Sequence, residues 1–220
     1  MRINFFISPN YQRLVPFDYQ QKLVGRLHKW LGENAEHDSI SLYSISWLGR
    51  GEVRSGALNF PNGTSFHISA AKDDLLADII EGLQTDTEIN WGMKVKSIMP
   101  QREPDFSSGQ AKFVMQSPVL IKRKVEDGTQ QFYYHTDEIA DEYMTETMKA
   151  KMAFAGVEGE ISLRFDREYD KAWIKMATYR GIKNKGSLCP VIAEGDPHCL
   201  AFAWNVGIGN STGIGFGAVK

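Results

Sequence analysis

The sequence predicts an α+β fold, and three observations carry that prediction. Apolar residues recur at helical spacing in some segments and alternate strictly in others. Gly, Pro and Asn cluster between these segments. The composition is that of an ordinary globular chain, with 220 residues, 42% hydrophobic and 24% charged. RINFFIS reads as a first strand. In VPFDYQQKLVGRLHKWLGE, Leu23, Val24, Leu27, Trp30 and Leu31 share one helix face, Pro16 and Asp18 suit its start, and Gly32 its stop. SISLYSISWL alternates as a strand does. RGEVRSGALNFPNGTSFHISA carries a hairpin, with Pro61-Asn62-Gly63 as the turn signal between strand-like flanks. KDDLLADIIEGLQTD is a second amphipathic helix with Leu75, Leu76, Ile79, Ile80 and Leu83 on one side, and WGMKVKSIMPQ closes the unit as a strand.

That order, β-α-β-β-α-β, is the ferredoxin-like arrangement. It fills residues 1–100, and a polar, breaker-rich stretch from Pro100 to Ser108 predicts a boundary. The second unit, 101–220, is also α+β. FVMQSPVLIKRKV offers a strand pair around Ser117-Pro118. HTDEIADEYMTETMKAKMAFAG is helical, with acidic residues early and Lys149 and Lys151 late, as the helix dipole prefers. GEISLRFDR and KAWIKMATYRGIKNKGSL are strand-rich, and CLAFAWNVGIG is an apolar segment leading into a glycine-rich end. The second unit reads as a divergent copy of the first, although no sequence repeat is evident.

Bulk properties exclude some classes. No apolar run approaches the roughly 20 residues a membrane span needs. The start has no long apolar region or cleavage site of a secretory signal, and two cysteines, Cys189 and Cys199, suit a reducing cytoplasm. No CxxC pair is present, so neither metal nor cofactor is expected. A net charge of −2 argues against a general nucleic-acid binder, although local basic clusters remain compatible with it.

The chain ends NVGIGNSTGIGFGAVK. Gly207, Gly209, Gly213, Gly215 and Gly217 match neither a Walker A loop, which needs Gly-Lys-Ser/Thr, nor a dinucleotide fingerprint, which follows a first strand. The bland reading is a tight glycine turn packed on a neighbour. The order is more specific: Gly207-Ile208-Gly209, five residues, then Gly215-Phe216-Gly217, a G-h-G-x5-G-h-G pattern with h apolar.

This pattern resembles the C-terminal signature of the CRISPR-associated endoribonucleases of the Cas-six family, which cut precursor CRISPR RNA at its repeats. VPFDYQQKLVGRLHKWL is similar to the family's first helix, FVMQSPVLIKRK to its S-P-containing central strand, and RGIKNKG to the stretch before its last strands. The resemblance touches most of the chain, with weak identity between the motifs. It implies tandem ferredoxin-like (RRM-like) domains, with the glycine loop near the RNA backbone between them. It also implies metal-free cleavage, in which the 2′-OH attacks the adjacent phosphate to leave a 2′,3′-cyclic phosphate and a 5′-OH. That reaction needs a base, an acid and donors to the phosphorane.

Histidine suits the acid and base roles. Of His28, His37, His67, His135 and His198, the family pattern singles out His37, between the first helix and the next strand, and His28, where relatives often carry tyrosine. His67, in the strand FHISA, His135, before a helix, and His198, in a turn after Pro197, read as structural. Many relatives carry a lysine soon after the catalytic histidine, but DSISLYS has none. Either His28 takes over part of that role, or Arg50 or Arg54 supplies the charge. Lys122, Arg123 and Lys124 form one candidate RNA-binding run and Arg180, Lys183 and Lys185 another, although runs of this kind are commonly solvated strand ends. The implied partners are CRISPR repeat RNA, precursor and mature guide, and a CRISPR effector complex, with no membrane, for a monomer or homodimer. Two other readings stand beside the enzyme: a relative that holds repeat RNA without cutting it, and an unrelated ferredoxin-like binding protein.

Overall fold

A computed structural model describes residues 1–11, 13–32 and 40–220. It is a mixed α+β fold built on antiparallel sheets. β1 (Arg2–Ile7) is followed by α1 (Gln20–Leu31), β2 (Tyr43–Ile45), the hairpin β3 (Glu52–Arg54) and β4 (Ala57–Asn59), β5 (Thr64–Ala70), α2 (Asp73–Thr85), β6 (Glu88–Asn90) and β7 (Met93–Gln101). The five-stranded sheet is ordered β2-β5-β1-β7-β6. Leu23, Val24, Leu27, Trp30 and Leu31, the face of α1 predicted from spacing, are buried. Trp30 stacks on Phe5 with ring centroids 5.9 Å apart, and Phe5 stacks on Phe66 at 4.8 Å. At Gly82 the two helices touch so closely that a methyl group would overlap the Trp30 backbone.

The second half runs β8 (Gln110–Phe113), the hairpin β9 (Ile121–Lys124) and β10 (Gln130–Tyr133), α3 (Ile139–Ala155), β11 (Ile161–Phe165), the hairpin β12 (Trp173–Tyr179) and β13 (Ile182–Leu188), β14 (Val191–Gly195) and α4 (Pro197–Val206). Its three-stranded sheet is ordered β11-β14-β8, and Val219 bridges to Met115 just beyond β8. A second apolar core lies here, built from Met144, Met148, Leu163, Phe165, Leu200 and Trp204 among others. The halves are joined by Arg2, 1% exposed, whose guanidinium lies 3.6 Å over the Trp204 ring and donates to the Trp204 carbonyl.

Three expectations are corrected. The strands flanking Pro61-Asn62-Gly63 do not pair: β4 pairs with β3, and β5 with β1 and β2. The hairpin turn is Ser55-Gly56, both at positive φ (48° and 73°), as a two-residue turn between twisted strands requires. The strands either side of Ser117-Pro118 separate likewise, β8 pairing with β14 and β9 with β10. The apolar segment CLAFAWNV lies within α4, with Pro197 in its first turn, so His198 is helical and not in a turn. This helix is buried nearly all round, which erases the amphipathic period that marks a surface helix.

Candidate functional site

The glycine-rich end folds as a knot around residues 117–120. Gly217 N–H donates to the Pro118 carbonyl (2.8 Å), Asn210 N–H to that of Leu120 (2.7 Å), and Ile208 N–H to that of Gly217 (2.8 Å). Ala218 N–H donates to Ser117 Oγ at 2.9 Å. A Cβ at Gly209 would come within 2.5 Å of the Leu120 oxygen, and one at Gly186 on β13 within 2.7 Å of the Val119 oxygen. At Gly217 it would overlap the Ile208 carbonyl, and φ there is +64°. Three of the four sequence features tied to the family resemblance, S-P, RGIKNKG and G-h-G-x5-G-h-G, therefore meet in one place.

The same loop reaches back to the first half. Thr212 Oγ1 donates to the Tyr43 carbonyl (2.8 Å) and Trp47 Nε1–H to that of Gly215 (2.6 Å). Gly213 packs against Ser41 and the Tyr43 ring, leaving no room for a side chain. Gly207, Gly209, Gly213, Gly215 and Gly217 are all buried, and they permit close contacts with protein. They fix the half-buried rim of the loop, Asn210 and Ser211, with Ser211 in a left-handed conformation at φ +61°.

That rim borders a cavity of about 600 Å³, lined also by Ile40, Ser41, Arg123, Thr147 and Lys151. Arg123 is fixed there. Its guanidinium lies 4.6 Å over the Tyr143 ring and donates to Tyr143 O (2.7 Å), Thr147 Oγ1 (3.1 Å) and Glu146 (3.1 Å). Lys122 shares the strand, and its backbone N–H donates to Asn210 Oδ1 at 2.9 Å. Lys124 is exposed further along. Of the candidate RNA-binding run, the fold brings Arg123 to the cavity and joins the Lys122 backbone to the loop.

The sequence reading missed Lys151. It occupies a position on the Met144–Met148–Met152 stripe of α3 and is 4% exposed. Its Nζ donates to the carbonyls of Val206 (3.4 Å) and Gly207 (3.2 Å) and to Thr212 Oγ1 (3.1 Å). The two carbonyls lie at the C-terminal end of α4, where the helix dipole favours a cation. Burial opposes this and pulls the ammonium from 10.5 down to about 7. The unfolded chain therefore binds this proton more tightly. Lys151 costs stability fully below about pH 7, and that cost fades as pH rises towards 10.5. Wild-type thermal stability is thus expected to gain on that of Lys151→Met as pH is raised from 7 to 9.5. A difference between the two proteins that stays constant, or that shifts further in favour of Lys151→Met, over this range contradicts the assignment. A lysine interrupting an apolar stripe was the available signal.

The candidate histidines separate. His37 lies outside the described residues; Ile40 and Ser41, which follow that stretch, line the cavity. His28 is half-buried on the last turn of α1. His67 is buried, 6% exposed, and burial together with nearby Arg2 holds its pKa well below 6.5. His135 Nδ1 lies 3.2 Å from Ser187 Oγ, and His198 Nε2 is 2.7 Å from the Glu158 carbonyl.

Arg50 is exposed on a different groove of about 440 Å³, beside Phe17, Trp47, Trp173 and Lys175. Arg54 is exposed at the end of β3. Arg180 forms the β12–β13 turn with Gly181, at φ +48°, and lies 5.7 Å over the Tyr179 ring. Lys183 and Lys185 are exposed on β13. No helix among the described residues is long and apolar enough to cross a membrane.

Comparison with known proteins agrees with this geometry. The chain superposes over its whole length on a Cas6-related protein of Pyrococcus furiosus, with TM-score 0.83, 19% identity and 97% of that chain covered. It superposes equally on a RAMP protein binding different RNA substrates (TM-score 0.85, 18% identity, 98% covered) and on a CRISPR associated protein Cas6 (0.83, 18%, 98%). At these identities the likeness shows the fold. No curated protein matches by sequence. The family model "CRISPR associated protein Cas6, C-terminal" matches residues 101–220, the part that contains the glycine knot, Arg123 and Lys151. The chain belongs to the CRISPR-associated protein Cas6 family.

Proposed function

We propose that this protein is an endoribonuclease that cleaves precursor CRISPR RNA within its repeats without a metal ion in the reaction. The observation that carries the reading is the family match over residues 101–220, the stretch whose glycine loop, Arg123 and Lys151 border the cavity. His37 and His28 serve as acid and base, and the attacking group is the RNA 2′-OH. Arg123 and the loop rim act on the phosphate, while Lys122, Lys124, Arg180, Lys183, Lys185, Arg50 and Arg54 supply longer-range attraction. The glycines act by shaping the loop.

Two ferredoxin-like units, 1–100 and 101–220, make up the chain in this reading. In support, both sheets have the same lateral order once inserted hairpins are set aside: β2-β5-β1-β7 in the first, β11-β14-β8 flanked by Val219 in the second. The partners are repeat RNA and a CRISPR effector complex, in the cytoplasm, for a monomer or homodimer.

The products test the chemistry. Repeat RNA incubated with the protein should yield fragments with a 5′-OH, labelled by polynucleotide kinase without prior phosphatase, and a 2′,3′-cyclic phosphate. Fragments bearing 5′-phosphate and 3′-OH would refute 2′-OH attack. The basic residues make a separate expectation. Lys183→Ala with Lys185→Ala should weaken RNA binding and flatten the plot of log affinity against log salt, by about 0.7 for each phosphate no longer neutralised. An unchanged slope removes β13 from the RNA path.

A further inference from the structure

A second group of reactive side chains lies away from this cavity. Asp196, His198 and Cys199 open α4, and their donor atoms all lie within 4.8 Å of one another. Cys199 Sγ is 3.5 Å from His198 Nε2. On a tetrahedral zinc ion, with bonds of about 2.3 Å to sulfur and about 2.0 Å to nitrogen, the two atoms also stand roughly 3.5 Å apart. Gly159, in the turn between α3 and β11, lies over the group. A Cβ built on it would be 2.7 Å from Asp196 Oδ2, 2.7 Å from Cys199 Sγ and 3.1 Å from His198 Nε2. A side chain at 159 would press on all three donors, so the glycine is what lets the turn close over them. Asp196 Oδ2 accepts from the Glu160 N–H at 2.8 Å and does not cap its own helix, so capping explains none of the three side chains.

We propose that Asp196, His198 and Cys199 bind a single zinc-class divalent cation, with the Glu158 carbonyl or water in the fourth position. A carboxylate–imidazole–thiolate set suits a borderline-soft ion and not magnesium or calcium. The Glu158 oxygen lies beside the group, 2.7 Å from His198 Nε2 and 3.6 Å from Cys199 Sγ, and must open from that hydrogen-bond distance to about 3.3 Å from Nε2 to join a tetrahedral ion. Binding requires the imidazole proton to sit on Nδ1, so that the Nε2 lone pair faces the ion, and releases the thiol proton to water. Without a cation, burial and the carboxylates of Asp196 and Glu160 push the Cys199 thiol up, and the ion reverses that balance.

The ion fastens the α3–β11 turn to the start of α4. The glycine loop leaves the other end of this 10-residue helix, about 15 Å away, so the role is a structural clamp and not part of RNA cleavage. The inference does not depend on the proposed nuclease activity.

The test is titration of the chelator-stripped full-length protein with Co²⁺ and then Zn²⁺. Co²⁺ should give a thiolate-to-cobalt charge-transfer band saturating at one equivalent, and Zn²⁺ should bleach it. Zn²⁺ at a hundredfold excess over its dissociation constant should raise Tm by roughly 5–10 °C. Both responses should vanish in Cys199→Ser and in His198→Gln, a substitution at an exposed side chain that leaves the core intact. Cys189→Ala should retain them. No band, a band that survives His198→Gln, or one that disappears in Cys189→Ala would overturn the site.

Discussion

His37→Ala should lower the rate of repeat cleavage by about 10²- to 10⁴-fold, the usual contribution of a positioned acid or base, while RNA affinity stays within about twofold of wild type. The expectation follows from the chemistry. Transfer of the 2′ proton and protonation of the leaving 5′ oxygen belong to the transition state, so removing one participant affects the rate and not ground-state binding. Single-turnover kinetics at saturating protein, with affinity measured on 2′-deoxy RNA, separates the two quantities. Normal cleavage by His37→Ala would remove the residue from the mechanism. His28→Ala should give a comparable loss of rate if the two act as a pair. A loss confined to His37 would assign the second proton transfer elsewhere.

Gly217→Val should be the most destabilising single change outside the apolar cores. The position has φ +64°, and a Cβ there overlaps the Ile208 carbonyl oxygen. Strain of this kind costs about 1–3 kcal/mol in the backbone alone, before the overlap is relieved. Relief would break the Ile208 N–H to Gly217 carbonyl and Gly217 N–H to Pro118 carbonyl bonds, both 2.8 Å. A total loss above about 3 kcal/mol is expected, measured by denaturant unfolding. Gly215→Ala should be milder. Its φ of +94° is strained, but the nearest atom to a Cβ is Trp47 Nε1 at 3.6 Å, an ordinary contact. If both variants unfold at the same denaturant concentration, close packing is not what the second glycine pair provides.

The elements with a period were legible in the sequence. α1, α2 and α3 each bury one stripe of a polar helix, and β1, β5 and β7 carry apolar residues between clear breaks. What remained hidden depended on partners distant in sequence. α4 is apolar on nearly every side because both halves of the molecule cover it, as its Trp204 contact with Arg2 shows. The two-residue turns Ser55-Gly56, Trp91-Gly92 and Arg180-Gly181 each place a non-glycine residue at positive φ, which no residue preference announces for serine, tryptophan or arginine.

The glycine pattern marked a segment that packs closely at the cavity rim, but its packing partners, Leu120 and Val119, only the fold supplies. Lys151 was visible as a helix residue; its burial against the Val206 and Gly207 carbonyls was not. Asp196, His198 and Cys199 lie close in sequence without a zinc spacing, and the Gly159 turn that completes their pocket comes from another element.

Cleavage of repeat RNA with EDTA present, beside the same RNA carrying a single 2′-deoxy residue at the cut site, tests the central claim most directly. The account predicts that EDTA leaves the cleavage rate unchanged and that the deoxy substitution abolishes cutting while binding persists. Cleavage that stops with EDTA at a temperature where the fold is intact, or that continues on the deoxy RNA, would contradict it.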